Sequence, residues 1–140
     1  MKGIAWILYL FITLIITSII AIYGWYVIGG SIGEALATNT KLMGQQITGI
    51  INLLQSSPSG TLHEYELVKA DGNLKIKDEI LEIRIRIGTE KFYTTHLIQH
   101  IPVRDIDIKF TPTERKIFLA RCSNEIIVTK NRDDITCVKI

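Results

Sequence analysis

The sequence predicts an α+β protein in which an N-terminal transmembrane helix and an amphipathic helical stalk precede a small antiparallel all-β sandwich or barrel. Between Gly3 and Gly33 the chain has no Asp, Glu, Lys, Arg or His, whereas after Thr61 apolar and charged residues alternate. A long uncharged apolar run is typical of a membrane span, and alternation is typical of strands with one buried face. The predicted segments are residues 1–30 for the membrane helix, 31–57 for the stalk and linker, and 58–140 for the β-domain.

The N-terminal apolar run is long enough to cross a membrane. A bilayer hydrocarbon core is about 30 Å thick and needs roughly 20 apolar residues in a helix, which residues 4–28 supply. Trp6 and Trp25 lie nineteen positions apart, about 28 Å on a helix, and aromatic residues favour the two membrane–water interfaces. A cleaved secretory signal would have a shorter apolar region and a cleavage site of small residues. We therefore expect a retained transmembrane helix.

The charges on either side of the span predict its orientation. Lys2 and the α-amino group precede the span, and Glu34 and Lys41 are the only charged residues between it and Thr61. Since Lys and Arg concentrate on the cytoplasmic side of a membrane, we expect a single-pass membrane protein. Its N-terminus is predicted to be cytoplasmic and its C-terminal domain extracytoplasmic.

Small residues lie on one face of the predicted span. Thr13, Thr17 and Ala21 are four positions apart, and small residues at that spacing let two membrane helices approach closely. An isoleucine-rich span also contains some small residues by composition alone, so both interpretations stay open. After the span, Gly29 and Gly30 are expected to end the helix, because glycine readily adopts the conformation of a helix C-terminus.

A second, amphipathic helix is expected from Ser31 to about Leu54. Ser31 and Glu34 form a capping box at its start. Its apolar residues recur at steps of three and four, as in a heptad seam, and Gly44 and Gly49 weaken it as an isolated helix. Such a helix needs a partner surface, which is its own β-domain, a neighbouring subunit or the lipid interface.

The apolar side of this helix continues the small-residue face of the span as a predicted association surface. The helix-association face consists of Thr13, Thr17, Ala21, Leu36, Met43, Ile47, Ile50 and Leu54. Replacing Ile47 and Ile50 together with alanine is accordingly expected to weaken association with neighbours while the β-domain stays folded.

The β-domain follows a linker of turn-forming residues at positions 56–60. Leu81, Ile83, Ile85 and Ile87 alternate with charged residues and are expected to face inward, as are Ile106, Ile108 and Phe110. Seven or eight short strands separated by turn residues are typical of a small sandwich or barrel. The predicted strands are residues 61–68, 74–77, 81–87, 91–98, 104–110, 116–122, 125–130 and 135–140.

The charge pattern argues against nucleic-acid binding. The formal net charge is +2, and basic and acidic residues are interleaved after Thr61, so the sequence has no basic stripe for a phosphate backbone. It also has no glycine-rich phosphate loop, nucleophile elbow or metal signature. We therefore expect neither an enzyme nor a bound cofactor.

The candidate metal ligands and carboxylate pairs also favour the absence of a metal site and of a catalytic site. His96 and His100 are four positions apart, but in a strand this spacing does not direct both rings at one ion as it would on a helix. The pairs Asp105 with Asp107 and Asp133 with Asp134 are interpreted as solvated strand and turn residues.

Cys122 and Cys137 are the two cysteines of the chain. Outside the cell they permit a disulfide that closes a loop of about 15 residues and stabilises by roughly 3 kcal/mol in the chain-entropy model. If the last three strands form a simple meander, the two cysteine-bearing strands lie about 9.6 Å apart, beyond the roughly 7 Å limit for a bridge. A disulfide then needs the strands to divide between two sheets, and two free buried thiols are the alternative.

The layout resembles archaeal type IV pilin-like proteins and the membrane-anchored accessory proteins of the archaellum. It shares with them an N-terminal hydrophobic helix, a helical stalk, a Ser-Pro-Gly break and an all-β head. Lys2 and Gly3 directly before the apolar run resemble the leader junction that prepilin peptidases cut, which implies cleavage between Gly3 and Ile4. Leu8 stands at the fifth mature position, where many pilins carry a glutamate and archaeal members often lack it.

The resemblance implies a non-catalytic structural or assembly subunit of a cell-surface or envelope complex. Its expected partners are membrane lipid and other protein subunits. The alternatives are a one-copy accessory or anchor subunit of a larger membrane machine, and an extracytoplasmic head that senses a small ligand. A deep apolar pocket with convergent polar groups would favour the ligand-binding head.

Overall fold

The computed structural model describes residues 2–98 and 100–137, with side chains from Ile4 onward in these ranges. The chain divides into two compact units, Met1–Ala35 and Leu36–Ile140. Helix α1 (Lys2–Ser56) contributes to both units, and seven strands in two antiparallel sheets complete the second. This arrangement confirms the predicted α+β class.

Helix α1 is continuous from Lys2 to Ser56, so the predicted break at Gly29 and Gly30 is wrong. Neither glycine has a positive φ, and the Ser31 hydroxyl donates to the carbonyl of Val27 at 3.0 Å instead of capping a new helix. A helical glycine costs about 1 kcal/mol relative to alanine. That cost weakens the helix here without ending it, and the predicted stalk is the C-terminal part of α1.

In the first unit, α1 exposes apolar side chains on every side. Residues 4–35 are exposed, with Thr13, Gly24 and Gly33 partly covered, and this part of the chain is long and apolar enough to cross a membrane. The hydroxyls of Thr13 and Thr17 donate to carbonyls one turn earlier, at 2.9 and 2.7 Å. These bonds satisfy the polar groups inside the helix, as an apolar surrounding requires.

The second unit is a sandwich of a three-stranded and a four-stranded sheet, which decides between the predicted sandwich and barrel. The strand order is β1-β6-β7 in one sheet and β4-β3-β2-β5 in the other. A parallel bridge between Val103 and Ile126 extends the smaller sheet. The strands are β1 Leu62–Glu66, β2 Asp71–Lys77, β3 Ile80–Ile87, β4 Thr89–His96, β5 Ile106–Phe110, β6 Lys116–Arg121 and β7 Ile126–Thr129.

Two details of the predicted strands are corrected. Ile87 is 48% exposed because it ends β3 at the turn through Gly88, beyond the reach of the core. The predicted last strand is absent over residues 135–137, which follow a 3₁₀ turn at Arg132–Asp134. Residues 138–140 lie outside the described part of the chain.

One apolar core joins the inner faces of both sheets to the C-terminal part of α1. On the sheets it contains the predicted inward residues Leu81, Ile83, Ile85, Ile108 and Phe110. The partly buried Ile106 packs against it. Burial of this apolar surface is the main favourable contribution to folding of the unit.

The apolar side of α1 faces this core, which corrects the predicted helix-association face. Ile47 is fully buried, and Ile50 is only partly buried because Ile51 takes the next inward position. A helix of 3.6 residues per turn drifts away from a strict heptad, so the buried stripe moves by one residue along α1. The helix residues buried against their own β-domain are Leu36, Thr40, Met43, Gly44, Ile47, Ile51 and Leu54.

Gly44 allows the close contact between α1 and β4. A Cβ at Gly44 would lie 2.2 Å from Cδ1 of Tyr93, whose ring faces the helix from β4. Gly49 lies on the exposed side of the same helix, and a Cβ there meets nothing within 4 Å. Gly44 and Gly49, both of which lower helix propensity, therefore have different roles.

We expect Gly44→Ala and Gly49→Ala to change stability in opposite directions. Gly44→Ala forces the Tyr93 ring or the helix to move, and overpacking of this kind typically costs about 1–3 kcal/mol. Gly49→Ala adds helix propensity without a clash and is expected to stabilise by up to about 1 kcal/mol. Urea unfolding of both variants, followed by circular dichroism, measures the difference. Equal stabilisation by the two alanines would contradict the close contact.

Candidate functional site

The described residues hold no group of three or more His, Cys, Asp or Glu that could bind a metal ion. His96 ends β4, and His100 lies exposed in the following loop. Asp107 lies opposite Lys75 on the outer face of the larger sheet. The features considered as candidate sites are therefore a covalent bridge and the exposed surfaces that are available for contacts with other molecules.

Cys122 and Cys137 form a disulfide, with their Cα atoms 5.5 Å apart. The bridge is possible because the last three predicted strands do not form a simple meander. Cys122 follows β6, and the segment after the 3₁₀ turn returns Cys137 to it. The bridge closes a loop with a sequence separation of 15 residues.

The bridge belongs to a small apolar cluster outside the main core. Ala120 pairs with Ile127 on the face of the smaller sheet that points away from that core. Both are buried, as are Cys122 and Ile135. The segment that carries Ile135 and Cys137 thus covers part of this face and is held there by the disulfide.

Two glutamines fasten α1 to the β-domain. Gln46 Oε1 accepts a 2.6 Å hydrogen bond from the Tyr65 hydroxyl on β1. Burial raises the pKa of Tyr65, which keeps the phenol protonated as a donor. Gln55 donates to the carbonyl of Ile101 at 2.9 Å, and its Oε1 accepts from the amides of His100 and Ile101 at 3.2 and 2.8 Å. Sequence reasoning missed both residues, since a glutamine on a polar helix face has no distinguishing pattern.

The side of α1 that points away from the β-domain forms an exposed surface, which we call the outward helix face. Leu42 and Leu53 are 49% and 61% exposed on it. From Leu42 to Ser56 the helix has no charged residue, in contrast to the densely charged β-domain. The outward helix face consists of Thr38, Leu42, Gln45, Gly49, Leu53 and Ser56.

The outer face of the larger sheet carries charges of both signs. Arg84 forms ion pairs with Glu82 and with Glu90, and Arg86 pairs with Glu90 at 3.2 Å. The hydrogen bond to Glu82 is the main reason why the pKa of Arg84 is raised. These exposed pairs add little stability individually, and they leave the face close to neutral.

An open depression lies at one end of this charged face. Its polar lining includes Asp71, Asn73, Arg84, Arg86 and Lys109. Asn73 Oδ1 is buried and has no hydrogen-bond partner among the residues that the structure describes. The depression is charged and open, unlike the deep apolar pocket that a small-molecule site normally needs.

The predicted leader junction and the predicted small-residue face both lie on the N-terminal part of α1. Ile4 is exposed, and Lys2 and Gly3 of the predicted leader junction lie in the first turn of α1, where their side chains are outside the described residues. Thr13, Thr17 and Ala21 lie on the exposed part of α1.

No protein-family model, curated protein or solved structure matches the chain.

Proposed function

We propose that the protein is a membrane-anchored, non-catalytic structural or assembly subunit of a pilin-like cell-surface or envelope complex. The observation that carries this proposal is the part of α1 from Ile4 to Ile28. Its apolar side chains are exposed all around the helix, and it contains no charged residue. Lipid is the surrounding that removes such a surface from water at no cost in desolvated charge.

The proposed orientation places the N-terminus in the cytoplasm and the β-domain outside. Lys2 supplies the positive charge on the proposed cytoplasmic side. The disulfide between Cys122 and Cys137 supports an extracytoplasmic β-domain, since disulfides persist in oxidising compartments and are rare in the cytosol.

Protease added to intact cells is expected to digest the second unit and leave the membrane helix. The cleavable residues of the β-domain, such as Arg86 and Lys109, are exposed, and in the proposed orientation no membrane separates them from trypsin. Immunoblotting for tags at each terminus measures the fragments. Protection of the β-domain until the cells are lysed would contradict the proposed orientation.

The outward helix face is the proposed surface for contacts with other subunits. The opposite side of α1 is occupied by the β-domain of the same chain, so it is unavailable to a neighbour. From Leu42 onward the outward helix face has no charged residue and carries two exposed leucines, Leu42 and Leu53. The exposed Lys41 lies beside the start of this face, next to Thr38 and Gln45. The part from Leu42 to Ser56 can therefore pack against another helix without desolvating an ion.

Leu42→Glu combined with Leu53→Glu is expected to weaken association at least about tenfold, since two buried charges at a contact cost more than 1.4 kcal/mol. Ile87→Glu is the matched control, because Ile87 is similarly exposed but lies at the end of β3. Analytical ultracentrifugation in detergent measures association, and urea unfolding verifies that the β-domain keeps its stability. Unchanged association in the double variant, or equal losses in the control, would contradict an assembly role for this face.

The depression beside Asn73 is the one observation that favours a ligand-binding head instead. Its unpartnered Oδ1 would accept a hydrogen bond from a ligand, and Arg84 and Lys109 lie on neighbouring strands. The assembly role is better supported, because the depression lacks the apolar enclosure that retains small ligands.

A further inference from the structure

Three glycines occur within five residues of α1, at positions 29, 30 and 33. A Cβ built on any of them meets nothing within 4 Å, and none has a positive φ. They thus differ from Gly44 and Gly72, where a Cβ would collide with an aromatic ring. Neither a steric contact nor a backbone conformation requires glycine at positions 29, 30 and 33.

The helix around these glycines also lacks support from packing. Side chains 25–32 are all exposed, and the first buried residue of α1 is Leu36. Helices in proteins take most of their stability from packing of one face, and each exposed glycine shifts the local helix equilibrium about fivefold toward opening relative to alanine. Three of them together favour opening by about a hundredfold.

The helix can open only in the short stretch between the proposed membrane interface and the buried part of α1. Backbone hydrogen bonds do not open in the hydrocarbon core, because unpaired amides have no partner there. The aromatic residues Tyr23, Trp25 and Tyr26 indicate the second membrane interface, and the glycines follow directly. Beyond them, burial of Leu36 and the inward residues after it stabilises the helix.

We propose that residues 29–33 are a hinge in α1. Their backbone hydrogen bonds open and re-form while the helical segments on either side stay intact. The hinge leaves the β-domain free to adjust its direction after the span has inserted, which a subunit that must meet neighbours requires. This inference rests on the proposed membrane span, but it concerns the backbone of α1 and does not depend on the identity of the proposed partners.

Hydrogen–deuterium exchange of the full-length protein in lipid nanodiscs tests the hinge. Amides 29–35 are expected to exchange at least tenfold faster than amides 44–51 of the same helix. The triple variant Gly29→Ala, Gly30→Ala, Gly33→Ala is expected to slow exchange of amides 29–35 by about a hundredfold. Gly49→Ala is the matched control and should leave them unchanged. Equal exchange of the two segments in the natural sequence, or no slowing in the triple variant, would overturn the proposal.

Distances between spin labels give an independent measurement. Ala21→Cys and Asn52→Cys place labels on exposed positions on the two sides of the glycines, and the native cysteines are bridged and do not react. The distance distribution is expected to be broad in the natural sequence and to narrow in the triple alanine variant. A narrow distribution that the three alanines leave unchanged would show a rigid helix and refute the hinge.

Discussion

Replacing Ile47 with alanine is expected to lower the free energy of unfolding of the second unit by about 2–5 kcal/mol. Ile47 is fully buried between α1 and the sheets. Truncation removes its apolar contacts and leaves a cavity that the neighbouring side chains fill only in part. This result is the reverse of the expectation from sequence, in which the β-domain stays folded when Ile47 and Ile50 are both truncated.

Leu53→Ala is the matched control for this experiment. Leu53 lies on the same helix but is 61% exposed, so its truncation is expected to change stability by less than about 1 kcal/mol. Pulse proteolysis in increasing urea measures both variants in the full-length protein. A stability loss at Leu53 as large as that at Ile47 would show that the helix packs through its other side.

Removing the disulfide is expected to destabilise the second unit by about 3 kcal/mol, the chain-entropy value for a loop of this length. The double variant Cys122→Ala, Cys137→Ala removes the bridge. Alanine is chosen in place of serine, because a serine hydroxyl would be buried beside the apolar Ala120 and Ile127. The C-terminal segment then loses its covalent attachment, and the small apolar cluster that it covers is expected to become exposed to water.

Reduction of the natural protein provides the comparison for the double variant. A reductant is expected to lower the unfolding midpoint of the natural sequence to about that of the double variant and to leave the variant unchanged. Native protein purified without reductant should also resist alkylation. Rapid labelling of both thiols without unfolding would be incompatible with the bridge.

Several elements were predictable from sequence because their signals are local. The candidate membrane segment follows from an uncharged run of sufficient length, and the inward residues of β3 and β5, apart from Ile87, follow from alternation with period two. The turn between β2 and β3 is another local signal. Asp78 and Glu79 adopt positive φ angles of 51° and 65°, as the two central residues of a tight hairpin do, and aspartate tolerates this conformation better than glutamate.

Other features depended on residues far apart in sequence. The heptad-like seam of α1 predicted a buried face correctly, but spacing alone does not say whether a neighbour or the chain's own sheets cover it. The disulfide likewise depends on the path of the chain after β7, where the predicted last strand does not form over residues 135–137. Gly44 matters only because Tyr93 on a distant strand lies against it.

The candidate membrane span, the α+β class and the alternation of the main strands could be predicted from the order of residues within each segment. These properties depend on hydrophobicity and period within a single segment, and burial selects for them directly. The structure was needed to show that α1 continues through Gly29 and Gly30, that Ile51 lies in the core in place of Ile50, and that Cys137 reaches Cys122. The last two depend on contacts between segments that are distant in sequence. Helix α1 continues because the cost of two glycines, about 1 kcal/mol each, weakens the helix without ending it.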